Sequence, residues 1–121
     1  MHHLSNWIEI PVKDMKRAQT FYQGVLKVEL AAMDLGPNRY ALFPTEDRFN
    51  SGALAQGEGY EPSNQGVTVY FDGSEGIELI LARVSALGGT ILLTKTFLAA
   101  EAGFIGLFLD SEGNKIGLQQ M

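Results

Sequence analysis

The chain of 121 residues contains no cysteine. That excludes disulfides, thiolate metal sites and cysteine nucleophiles. Histidine is nearly missing too: the two copies, His2 and His3, precede every patterned segment. No apolar run approaches the ~18 residues of a membrane-spanning helix. No Gly-x-Ser-x-Gly elbow is present, and Ser51 and Ser74 have no histidine near them in the pattern, so a serine nucleophile is not expected. Gly57-Glu58-Gly59 is not followed by a helical pattern, so it is no dinucleotide fingerprint. Positive charge is scarce, with 9 Lys and Arg against 14 Asp and Glu, for a net charge of −5. An acidic surface repels phosphate backbones and anionic membranes, so neither nucleic acid nor a membrane is an expected partner. The first residues carry neither a basic segment nor an apolar run of signal length, and a cytoplasmic protein is the expectation.

What the sequence has in abundance is glycine, 14 residues, and with it the turns that separate short strands. Ile8, Ile10 and Val12 alternate with Trp7, Glu9 and Pro11, which reads as a half-buried strand. Asp14 follows as an N-cap, and Met15, Ala18, Phe21, Tyr22 and Val25 form one helical stripe running to about Leu26. Strands are expected at about Val28 to Met33, Arg39 to Phe43 and Ser51 to Gln56, with turns at Gly36-Pro37-Asn38 and around Glu46-Asp47-Arg48. Gly57 to Gln65 has the composition of a connector. The plan then repeats. Val67, Val69 and Phe71 mark a strand, Asp72 and Glu75 a capping box, and Ile77, Ile80, Leu81, Val84 and Leu87 a helix closed at Gly88-Gly89. Strands at Thr90 to Leu93, Phe104 to Leu109 and Ile116 to Gln119 complete it, the last two joined by Asp110-Ser111-Glu112-Gly113-Asn114.

This order predicts an α+β fold of two tandem βαβββ modules, about 5–57 and 65–121, in a single domain spanning 1–121. Neither half has enough core to stand alone. Together they would form one cupped, eight-stranded mixed sheet with both helices on its outer face.

The segment from Ile8 to Tyr22, with its strand, Asp14 cap, Arg17-Ala18 pair and Phe21-Tyr22, resembles the opening of the vicinal oxygen chelate superfamily. Its members include glyoxalases, bleomycin resistance proteins and extradiol dioxygenases. Phe108 to Leu118, with Asp110-Ser111-Glu112-Gly113-Asn114 at its turn, resembles that superfamily's closing hairpin. The resemblance implies the fold strongly and function weakly, because such a fold hosts many chemistries.

It also implies where a metal would sit. In the metal-dependent relatives each module supplies His, Glu or Gln from its first and last strands, facing into the cup. Anchored at Asp14 and Asp72, those positions here hold Trp7, Gly66 and Gly117, and in Ser51 to Gln56 the one ligand-like side chain is Gln56. No metal and no other cofactor is therefore expected.

Strand alternation gives the cup a different lining: Trp7, Glu9, Thr68, Tyr70, Phe108 and Gln119. Aromatic walls with a few polar groups suit a small-molecule ligand. Two blander readings stand beside that one. In one, the rings of Trp7, Tyr70 and Phe108 fill the cup as a second core; in the other, Glu9 sits at a solvated rim or pairs with Lys95 or Arg39. The competing functions are a metal-free small-molecule binder, a divalent-metal-dependent lyase or isomerase of the glyoxalase type with an atypical ligand set, and a non-catalytic interaction protein with a filled cup. A homodimer is implied by the resemblance alone.

Overall fold

The computed structural model describes residues 4–45 and 51–121. His2, His3 and the turn at Glu46-Asp47-Arg48 lie outside the described residues. The first half runs β1 (Trp7–Pro11), α1 (Met15–Leu26), β2 (Ala31–Leu35), β3 (Asn38–Leu42) and β4 (Ser51–Gln56). The second runs β5 (Val69–Asp72), α2 (Ile77–Ala86), β6 (Thr90–Ala99), β7 (Gly103–Leu109) and β8 (Lys115–Gln120). The βαβββ order thus occurs twice. Hydrogen bonding divides the strands into two four-stranded mixed sheets of matching order, β1-β4-β3-β2 and β5-β8-β7-β6. In each, the first strand pairs parallel with the last.

Local chemistry explains most boundaries. Asp14 caps α1, its carboxylate accepting from the Arg17 N–H at 3.1 Å. All five residues of the expected stripe are buried. Gly36 has φ +60°, the left-handed conformation that lets β2 turn into β3 in two residues. Strand β6 runs to Ala99, six residues past expectation, across irregularities against β7 that its apolar pattern does not announce.

The expected capping box does not form. Asp72 accepts from the Ser74 amide and hydroxyl, Glu75 pairs with Arg83, and Gly76 caps α2 with no side-chain bond. Distant glutamines take over. Gln56 Oε1, at the end of β4, accepts from the Met15 N–H at 2.9 Å, and Gln120 Oε1, at the end of β8, accepts from the Ile77 N–H at 3.1 Å. Each last strand therefore ties down the helix of its own half.

The core is common to both halves. Tyr22 on α1 packs edge-on against Phe43 at 6.2 Å and tilted against Phe71 at 6.2 Å, and Phe21 reaches Phe108 at 6.2 Å. The closing hairpin completes the tie. The Tyr22 hydroxyl donates to buried Asp110 at 2.5 Å, and Asn114 Nδ2 donates to Asp110 at 3.0 Å and to the Pro11 carbonyl at 2.8 Å. Burial and then the Asp110 charge raise the Tyr22 phenol, so it stays a neutral donor. The fully covered Glu112 side chain accepts from the Lys13 and Asp14 amides, both at 2.9 Å, and from Arg17 Nε at 2.7 Å. The two sequence segments that suggested a family thus lock the two ends of the chain together.

Candidate functional site

Backbone register makes the two halves comparable residue by residue. Pro11 pairs with Ala55 as Asp72 pairs with Gln119, so Glu9 corresponds to Tyr70, Trp7 to Thr68, and Ala53 to Gly117. The next amide in each first strand confirms the match: Val12 N donates to the Ala55 carbonyl at 2.9 Å and Gly73 N to the Gln119 carbonyl at 2.7 Å. Thr68, not Gly66, is the counterpart of Trp7. Gly66 lies ahead of β5 at φ +94°.

On the sheet face away from the helices, the first half presents Trp7 and Glu9 from β1, Ala53 and Ala55 from β4, and Tyr40 from β3. The two alanines are fully buried beside their register partners Glu9 and Tyr40, forming a small floor. The Trp7 indole N–H donates to Glu9 Oε2 at 3.1 Å, and the Tyr60 hydroxyl donates to Glu9 Oε1 at 2.7 Å. Tyr40 and Tyr60 meet edge to face at 6.4 Å, and Asn38 Nδ2 donates to the Tyr40 hydroxyl at 3.3 Å. The Tyr60 phenol is pushed well above its ordinary value, first by its hydrogen bond with Tyr40 and then by that with Glu9.

In the second half the same face carries Tyr70 over Gly117. A Cβ on Gly117 would collide with the Tyr70 ring, so glycine is what admits the ring there. Between the edge strands β1 and β5 runs a cleft of about 710 Å³, lined by Glu9, Pro11, Glu61, Thr68, Tyr70 and Lys115 among others. Three of the six residues expected in the cup, Glu9, Thr68 and Tyr70, line it. Trp7, 47% exposed, joins through its bond to Glu9.

The other two stand elsewhere. Phe108 is 0% exposed in the helix-facing core, because it shares the register of Ile116; Leu107, paired with Gly117, faces the opposite side. Gln119 is exposed and donates to the Ala102 carbonyl at 2.9 Å, bracing the turn between β6 and β7. Glu9 does not pair with Lys95, which lies 3.7 Å from Glu78 and 4.7 Å from the Phe104 ring centre. Sequence reasoning missed Tyr40 and Tyr60. An aromatic residue inside a polar connector was the available signal for Tyr60.

A profile of the glyoxalase/bleomycin resistance protein/dioxygenase superfamily matches residues 4–118. The chain belongs to that superfamily. No functionally curated protein is a significant sequence match. A glyoxalase/bleomycin resistance protein from Albidiferax ferrireducens is similar at 17% identity and a TM-score of 0.76, over 98% of this chain and 100% of that one. A glyoxylase/bleomycin resistance protein/dioxygenase domain from a Frankia species gives 14% and 0.76, over 99% and 98%. A glyoxalase I variant from Zea mays gives 21% and 0.65, over 94% of this chain and 44% of that one.

Superfamily membership raises the question of a metal. At the register-matched positions this chain offers Trp7, Thr68, Ala53 and Gly117, and Gln56 is spent on the α1 amide. Among the described residues no three His, Asp or Glu side chains converge. A divalent ion needs several oxygen or imidazole donors. The described residues do not fit one.

Proposed function

We propose that the chain acts as one two-module domain that binds a small molecule, without a metal ion, in the cleft between β1 and β5. The observation that carries this reading is the cleft itself: about 710 Å³, with Glu9, Thr68 and Tyr70 on its walls. A concave site of that size that sets charged and polar side chains among apolar ones has the form of a ligand site. The hydrogen-bonded fixing of Glu9 by Trp7 and Tyr60 supports it.

The same reading makes the protein a cytoplasmic homodimer. Family likeness and a cysteine-free composition support it, as do exposed apolar side chains on the outer strands: Met33 and Leu35 on β2, Phe97 and Leu98 on β6.

Amide chemical-shift mapping with a fragment library, in chelator, tests the site. Shifts are expected at Glu9, Tyr60, Thr68 and Tyr70. Fragments that bind only when a divalent metal is supplied, or that shift none of these residues, would refute the reading.

A further inference from the structure

We infer that the Glu9 wall of the cleft recognises a positively charged centre, an alkylammonium group, on the ligand; this rests on the small-molecule reading above. Glu9 is exposed, and both of its oxygens are held by neutral donors, the Trp7 indole and the Tyr60 hydroxyl. Among the described residues no ammonium or guanidinium pairs with it. Lys13 pairs with Glu61, Arg17 with Glu112, Arg83 with Glu75 and Lys95 with Glu78. Its negative charge is therefore oriented but not neutralised. A carboxylate accepts about four hydrogen bonds, and the two donors leave room for a cation.

The surroundings favour an organic cation over a hydrated metal ion. The Trp7 and Tyr60 side chains flank the carboxylate through their N–H and O–H, and the Tyr40 ring meets that of Tyr60 at 84°. Ring faces attract a quaternary ammonium through their quadrupole, by about 0.5–2 kcal/mol. Glu61 also lines the cleft but is paired with Lys13, and no group of three His, Asp or Glu side chains that could hold a metal occurs among the described residues. Lys115 lines the wall contributed by the second half, so the cation seat belongs to the Glu9 wall and not to the whole cleft.

Trp7 is the single tryptophan of the chain, and its emission reports on this wall directly. The experiment titrates the full chain with choline and, separately, with dimethylbutanol, the uncharged isostere in which carbon replaces the quaternary nitrogen. Choline is expected to change Trp7 emission at roughly tenfold lower concentration than the alcohol. In Glu9→Gln, whose unchanged unfolding temperature reports that it is folded, the two curves are expected to coincide. Equal half-saturation in the unsubstituted chain would overturn the cation inference and leave the small-molecule reading standing. No response to either compound would overturn the inference as well, and fragment mapping then decides the broader reading separately. The isostere comparison needs no variant, so a poorly folded Glu9→Gln does not weaken it.

Discussion

The two halves of this molecule share a backbone plan and differ where they face the cleft. Their helix ties are alike: Gln56 serves α1 as Gln120 serves α2. Their first strands are hydrogen-bonded alike. Yet Glu9 stands where the other half has Tyr70, over Ala53 in one and Gly117 in the other. Scaffold roles are kept in both copies, while the positions that would form a symmetric ligand set have diverged. In the proposed site, a fixed carboxylate on one wall and a tyrosine ring on the other would distinguish the two ends of a ligand. A metal centre drawing matched donors from each half would not need that asymmetry.

The shared scaffold should be the most sensitive to substitution. Asp110→Ala removes the acceptor that joins Tyr22, Asn114 and the hairpin amides, leaving buried donors unpaired. A loss of about 3–4 kcal/mol is expected in denaturant unfolding. A loss below about 1 kcal/mol would mean the halves are held together elsewhere. Gly117→Ala forces the Tyr70 ring away and should cost about 2 kcal/mol, whereas Ala53→Gly at the matched position should cost about 1 kcal/mol. Equal costs would erase the asymmetry between the two walls.

Acid sharpens the comparison further. Burial tends to raise the Glu112 carboxyl, but Arg17, the Asp14 and Lys13 amides and Ser111 outweigh it and hold it down to about 2. Its folded value is depressed, so its stabilisation is complete above the ordinary value of 4.5 and is lost as pH falls toward about 2. With Arg17 half-exposed and screened by water, about 1–2 kcal/mol is the expected size. Glu112→Gln should flatten unfolding temperature against pH in that window, and an unchanged slope would assign the acid response to other carboxylates. Gln56→Ala and Gln120→Ala should each cost about 1 kcal/mol. A large difference between them would break the equivalence of the two helix ties. Smallest of all, Glu9→Gln should change stability by less than about 0.5 kcal/mol, since Glu9 is exposed and serves no helix or core contact.

Much of the scaffold was legible in the sequence because its signals are local or periodic. The α1 stripe, the Asp14 cap and the glycine turns each follow from neighbouring residues. The glutamine caps were not legible, since they act across separations of 41 and 43 residues. Strand β7 misled for another reason. Phe104, Ile105, Leu107, Phe108 and Leu109 are apolar on both faces, so alternation carries no sign of which face meets the helices. Register against β8 decides it and buries Phe108. Within the candidate site, Glu9, Thr68 and Tyr70 were found by alternation on the first strands. Tyr60 was not, because a connector has no period to read and its place depends on the long reach to Glu9.

The most direct test of the metal-free cleft is a crystal structure of metal-stripped protein soaked with choline. The ammonium is expected beside Glu9, next to Trp7 and Tyr60, with the cleft between β1 and β5 open and no ion between the strands. A cleft closed by packed side chains, or an ion coordinated between β1 and β5, would contradict it.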